Sequence, residues 1–138
     1  MAHEFYTGSH PVAKYTVGVF LLAMLLGGCG GASDVGTVSG IVTLDGSPLE
    51  GASITFLPEK GRPSSGGTDK NGHYKLSYSN DQSGAILGDC QVTITTAFEG
   101  QDGKQMAEKV PKKYRAPGAL QAIVKPGSNK LNFDLLSK

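Results

Sequence analysis

From Val35 onward, apolar residues recur at every second position, not at the three- and four-residue spacing of a helix. In "GTVSGIVTLDG", Val38, Gly40, Val42 and Leu44 share one face, with Thr37, Ser39 and Thr43 on the other. "ASITFLPE" sets Ile54 and Phe56 against Ser53 and Thr55, and "HYKLSY" sets Tyr74, Leu76 and Tyr78 against Lys75 and Ser77. "DCQVTITT" sets Cys90, Val92 and Ile94 against Gln91, Thr93 and Thr95. "LQAIVK" and "KLNFDLL" add Leu120, Ala122, Val124 and then Leu131, Phe133, Leu135, and a shorter strand is expected over Ser64 to Thr68. Alternation of this kind gives each strand one buried and one wet face, as in an antiparallel sheet. Asp45-Gly46, Lys60-Gly61, Asn71-Gly72 and Pro126-Gly127 supply a glycine at each break, where a turn can require positive φ. About seven short strands at roughly ten-residue spacing predict an all-β, antiparallel sandwich.

The 138 residues argue for one folded domain. A domain of about 110 residues removes roughly two-thirds of its unfolded surface from water, enough to fold alone. Twenty glycines and seven prolines show no collagen-like period. A formal net charge of +1 provides no global field for nucleic acid, which is not expected as a partner. No Walker loop, zinc-type Cys/His cluster, heptad or internal repeat is present.

The chain before the alternating region is different. A polar leader and Lys14 precede "YTVGVFLLAMLLGG", whose apolar stretch is about a dozen residues, whereas a membrane-spanning helix needs about 20. The length suits a signal-peptide core. Leu26-Gly27-Gly28-Cys29 then resembles the bacterial lipobox, a leucine and two small residues before a cysteine that becomes lipidated. The resemblance implies a signal peptide over 1–28, lipid attachment at Cys29, and a flexible tether within 29–35. It also implies several acyl chains, which hold a membrane far better than the marginal grip of one. Of the two cysteines, Cys29 would then be consumed by lipid. Cys90 is left alone, and no disulfide is expected.

Three stretches carry a further likeness. Asp45 to Ala52 ("DGSPLEGA"), Phe56 to Pro58, and Thr68 to Tyr74 ("TDKNGHY") resemble the carboxypeptidase regulatory-like domain, a transthyretin-like sandwich. "VPKKY" (Val110 to Tyr114) and Val124 to Leu135 resemble the small planctomycete-type lipoproteins that carry this domain alone. The likeness runs over about residues 36–136, and the domain itself is placed at 36–138. It implies a transthyretin-like fold and says almost nothing of activity. Cys90 departs from the pattern, which favours an aromatic or polar residue there.

Residues capable of chemistry are few. Asp69-Lys70-Asn71-Gly72 looks like part of a calcium loop, but the twelfth position from Asp69 is Asn80 where a bidentate glutamate belongs. It reads as a turn stabilised by its own side chains, and neither metal nor cofactor is expected. His73 is the only histidine beyond Cys29, and alternation places it on the wet side without an evident nucleophile or base. Cys90 alternates onto the Val92/Ile94 face and reads as a buried small hydrophobe rather than a nucleophile. Ser64-Ser65-Gly66-Gly67 would need a following helix to cradle phosphate, and a turn follows instead.

The twenty-two residues from Phe98 to Ala119 show no periodicity, long for a connection in a compact domain. They hold Lys104, Lys109, Lys112, Lys113 and Arg115 against Glu99, Asp102 and Glu108. They read as a solvated crossover between the two sheets. They are also the place for a partner-binding surface, with Phe98, Met106 and Val110 as its apolar contacts and Tyr114 packed to pin its end.

The expected function is a non-enzymatic module of the bacterial cell envelope, held to a membrane through lipid at Cys29 and facing the periplasm or the cell exterior. Its expected partner is an envelope protein or polysaccharide. Carbohydrate binding is an alternative of its own, although no tryptophan is present to stack on a sugar. A hydrolase is a third reading, because some transthyretin-like proteins hydrolyse 5-hydroxyisourate with histidines, an arginine and a C-terminal Tyr-Arg-Gly-Ser. This chain ends "FDLLSK" and lacks that set.

Overall fold

A computed structural model describes residues 33–99 and 101–138. Leu26, Gly27, Gly28 and Cys29, with the proposed signal peptide and most of the tether, lie outside these residues.

The chain runs through β1 (Val35–Leu44), β2 (Ser47–Pro48), β3 (Ser53–Pro58), β4 (Ser64–Gly67), β5 (His73–Lys75), β6 (Ser77–Ser79), β7 (Gln82–Ser83), β8 (Ala85–Ile86) and β9 (Gly88–Thr95). One helical turn, α1 (Lys112–Arg115), precedes β10 (Leu120–Val124), β11 (Ser128–Lys130) and β12 (Phe133–Leu135). The architecture is an all-β sandwich of two sheets. Ser64–Gly67 forms β4, within the short strand expected over Ser64 to Thr68, and is not a loop. Among the described residues no helix is long and apolar enough to cross a membrane.

The first sheet is organised on β1. Along its length β1 meets β8, β5 and β2 in antiparallel register, through Val35↔Ile86, Gly40↔Tyr74 and Leu44↔Ser47. It also meets β11 and β12 in parallel register, through Val38↔Asn129 and Thr43↔Asp134. Alternation reports which face a residue takes but not strand direction, so this parallel pair among antiparallel ones was not legible beforehand. The second sheet has the order β10-β9-β3-β4-β6-β7, all antiparallel.

The inward residues of both sheets meet as the alternation requires. Val38, Val42, Tyr74, Leu76, Phe133 and Leu135 of one sheet face Ile54, Phe56, Cys90, Val92, Ile94 and Val124 of the other, all buried. The Phe56 and Phe133 rings meet edge to face across the layers, 6.2 Å between centroids and 78° apart, a favoured aromatic geometry. Tyr74 Oη donates to the Leu131 carbonyl at 2.5 Å, so this buried phenol is satisfied, and burial raises its pKa far above the ordinary value. Close approach fixes one core position: a Cβ at Gly40 would overlap the Leu131 carbonyl and press on the Tyr74 ring.

The turns follow their residue types. Asp45 and Gly46 both have positive φ, 49° and 82°, the mirror-image turn that suits the twist of a two-residue hairpin. Asp69 Oδ1 accepts from the backbone N–H groups of Asn71 (2.8 Å) and His73 (3.0 Å). That carboxylate closes its own turn, as expected of the "TDKNG" stretch.

Candidate functional site

The long connection between β9 and β10 is where the structure departs most from its sequence reading. β9 and β10 are neighbours in one sheet, paired from Leu120↔Val92 to Val124↔Gly88. The stretch 98–119 therefore joins adjacent strands of the second sheet and does not cross between sheets. It is not a merely solvated link either, because both of its ends are fastened.

The first fastening is built on Thr95, Thr96 and Glu108. Extending the β9 alternation by one step past Ile94 turns Thr96 inward, and it is 3% exposed. A buried hydroxyl needs partners. Thr96 Oγ1 accepts from the Lys109 N–H at 2.6 Å, and its proton is shared between the Ala107 carbonyl (2.9 Å) and Glu108 Oε1 (3.2 Å). Glu108 Oε1 also accepts from the N–H groups of Thr96 (3.1 Å) and Val110 (2.9 Å), and Oε2 accepts from Thr95 Oγ1 at 2.5 Å. Partial burial alone would raise the Glu108 pKa. The donors outweigh it and hold the carboxyl down at about 2, because hydrogen bonds to the ionised form favour it. Glu108 was not singled out from the sequence. The available signal was the inward Thr96, a polar side chain in an apolar register.

Val110 follows at once and is 2% exposed, part of the core. The expectation that it contributes to a recognition surface is corrected: the Glu108 clamp turns the backbone so that Val110 points between the sheets. The second fastening is Tyr114, packed against the core as expected. Its hydroxyl accepts from the Leu136 N–H at 3.1 Å. Lys113 Nζ, 5.0 Å from the Tyr114 ring centroid, donates to the Lys138 carbonyl at 2.9 Å.

Within the first fastening, between Thr96 and Glu108, the described residues 97–99 and 101–107 are exposed. The Met106 N–H donates to the Phe98 carbonyl at 2.9 Å, and Glu99 bridges to Gln105, giving a small hairpin. Phe98 and Met106 are therefore brought together at its base, each 47% exposed. Phe98 borders a shallow, chiefly apolar hollow of about 490 Å³ on the outer face of β3 and β4, lined by Gly51, Ala52, Ser53, Ser65 and Gly67. Lys104 pairs with Asp102 at 3.7 Å on the exposed tip. Lys109, Lys112 and Arg115 are exposed. Lys112 and Arg115 stand three residues apart on α1 and so share a side of its turn.

The other candidates sit apart from this surface. His73 is exposed on β5. Cys90 is a free, buried thiol whose Sγ lies 3.8 Å from the carbonyl oxygens of Ile86 and Gly88. It borders a second hollow, about 620 Å³, with Leu57, Pro58, Gly61, Asp89 and Gln121. Burial, and then the Asp89 charge, push its pKa up. A nucleophilic cysteine needs the opposite shift. The described residues contain no group of three His, Cys, Asp or Glu side chains placed to hold a metal ion.

No family model matches the chain, and no curated protein matches it. Among solved structures it is similar to BcpA, the major pilin subunit of Bacillus cereus, at 16% identity and a TM-score of 0.48, over 75% of this chain and 30% of that one. It is similar to a DUF3823 family protein from Parabacteroides merdae at 14% identity and 0.45, over 73% and 45%. A 9R-lipoxygenase from Cyanothece gives 13% and 0.40, over 75% and 16%. The chain spans less than half the length of each of these proteins.

Proposed function

We propose that this chain is a lipid-anchored, non-enzymatic module of the bacterial cell envelope, whose carboxypeptidase regulatory-like sandwich binds an envelope protein or polysaccharide through the 98–119 connection. The anchor is Cys29, after a signal peptide over 1–28, and the domain at 36–138 faces the periplasm or the cell exterior. The observation that carries the binding role is the combination of rigid fastening and display. The Thr96–Glu108 clamp closes the first part of the connection at its base and Tyr114 fixes its later part, and within the clamped segment Phe98 and Met106 remain half in water, Phe98 beside an apolar hollow. Rigid presentation lowers the ordering cost of binding. The non-enzymatic reading is supported by a thiol with raised pKa and by the exposed setting of His73.

The test has two parts. Mass spectrometry of the membrane fraction should find an N-terminal peptide that begins at Cys29 and carries acyl mass. A peptide that begins earlier without acyl mass refutes the anchor. For the surface, residues 100–106 are replaced by a few glycines, leaving Ala107 and Glu108 in place so that the clamp survives. Closure entropy changes slowly with loop length, so folding should persist. A folded, shortened protein that retains its envelope partners in a pull-down places the binding surface elsewhere.

Carbohydrate binding has one observation in its favour. Phe98 stands beside the hydroxyl-bearing Ser53 and Ser65 at the hollow, a ring-and-hydroxyl setting suited to a sugar. Loss of retention on a cell-wall glycan column in Phe98→Ala would support that reading.

A further inference from the structure

The turn at Asn71-Gly72 sets a side-chain amide beside the least hindered kind of peptide nitrogen. Alone of the four asparagines, Asn71 precedes a glycine; Asn80, Asn129 and Asn132 precede Asp81, Lys130 and Phe133. Glycine has no Cβ to crowd its nitrogen against an approaching carbonyl carbon. Asn71 is also exposed. Two of the others are tied down. The Asn129 amide is bonded to the Lys125 N–H and to the Thr37 and Lys125 carbonyls, and Asn132 Oδ1 accepts from the Ile41 N–H.

The fold restrains the Gly72 nitrogen. Its N–H donates to the Asp69 carbonyl at 2.9 Å, and the Gly72 carbonyl accepts from the Val42 N–H of β1 at 2.9 Å. Asp69 Oδ1 takes the N–H groups on either side, those of Asn71 and His73. To attack Asn71 Cγ, the Gly72 nitrogen must lose its proton and leave the Asp69 carbonyl. The neighbouring carboxylate disfavours the negative charge that results. Gly72 also lies hard against β1, where an added Cβ would stand 2.5 Å from the Val42 carbonyl oxygen.

We propose that Asn71 is a deamidation site, held latent by the Asp69 turn, and that its conversion loosens this turn from β1. Hydroxide removes the Gly72 amide proton, and the nitrogen bonds to Asn71 Cγ. The Cγ–N bond of the side-chain amide breaks, ammonia leaves with a proton from water, and a cyclic imide remains. Water then opens the imide at either carbonyl, giving aspartate or isoaspartate with no oxidant or reductant involved. Isoaspartate routes the main chain through one more carbon before Gly72, where close packing against Val42 leaves no slack. Either product adds a carboxylate two residues from Asp69. In the folded chain the reaction proceeds only from the fraction of molecules whose turn is open.

The test follows position 71 by peptide mapping and mass spectrometry in the full chain, incubated in mildly alkaline buffer with and without urea. Unfolding by urea should speed conversion of Asn71 roughly tenfold or more over the native protein. Asp69→Ala, with its sheets verified by circular dichroism, should convert faster than wild type without urea. Should that variant fail to fold, Asp69→Asn keeps the side-chain shape, removes the charge and is also expected to convert faster. Native protein that has accumulated isoaspartate at position 71 should melt at a lower temperature than fresh protein, and Asn71→Gln, incubated alike, should keep its midpoint. Equal rates with and without urea, an unchanged rate in a folded Asp69 variant, or an unchanged midpoint after conversion overturns the inference. Faster conversion in urea at Asn80, Asn129 or Asn132 than at Asn71 overturns it as well.

Discussion

Replacing Glu108 with glutamine tests whether a single carboxylate fastens the long connection. In the folded protein Glu108 titrates at about 2 against an ordinary value of 4.5. At about 1.4 kcal/mol per pKa unit this is worth about 3.4 kcal/mol, and discounting for its partial contact with solvent leaves roughly 2–3 kcal/mol. The sign follows from proton uptake. The folded state binds the proton more weakly than the unfolded chain, so falling pH protonates the unfolded chain first. The Glu108 contribution is therefore full above about pH 5 and disappears as pH falls to about 2. Glu108→Gln keeps the shape but supplies a neutral acceptor, and hydrogen bonds to a charged group are about twice as strong as those to a neutral one. It should cost roughly 2–3 kcal/mol at pH 7, and its deficit should shrink to nothing near pH 2. Urea unfolding followed by circular dichroism and tyrosine fluorescence measures this, since the chain has no tryptophan. Asp45, whose pKa its bonds to Ser137 also lower, adds an acid-sensitive part that wild type and variant share. The wild-type-minus-variant difference isolates Glu108. A variant as stable as wild type at pH 7, or a deficit that stays constant down to pH 2, refutes the clamp.

Two further substitutions probe the core. Cys90→Ser should cost about 1–3 kcal/mol, because it buries a hydroxyl where only the Ile86 and Gly88 carbonyls are near; rapid labelling of the native thiol would instead contradict its burial. Gly40→Ala should destabilise by about 2–3 kcal/mol or prevent folding, because its Cβ would overlap the Leu131 carbonyl; a thermal midpoint equal to wild type would show that the β11–β12 segment shifts freely.

The parts of the fold legible in the sequence are those set by side-chain partition along a single strand. Val38 and Val42, Ile54 and Phe56, and Cys90, Val92 and Ile94 each follow a period of two, and each is buried. The four turn glycines have positive φ for an equally local reason. Strand direction and order are different. That β1 pairs in parallel with β11 and β12 depends on residues some ninety positions apart, as in Thr37↔Ser128, and a face pattern reads the same for either direction.

The site falls between these cases. Exposed Phe98 and Met106 were legible because the 98–119 stretch lacks periodicity, but the same lack hid what holds it. Its organisation is polar: Thr96 sits at an inward position that apolar counting passes over, and Glu108, twelve residues later, carries no pattern of its own. Once the β9 alternation is extended to Thr96, the requirement for a buried acceptor follows from hydrogen-bond satisfaction alone. A carboxylate able to take the Thr95 and Thr96 donors together answers it. The clamp then accounts for Val110, because a backbone turned to give its N–H to Glu108 delivers the next apolar side chain into the core. One inward threonine thus explains why a connection this long stays fixed at its ends, and why the apolar residues left for a partner are Phe98 and Met106 but not Val110.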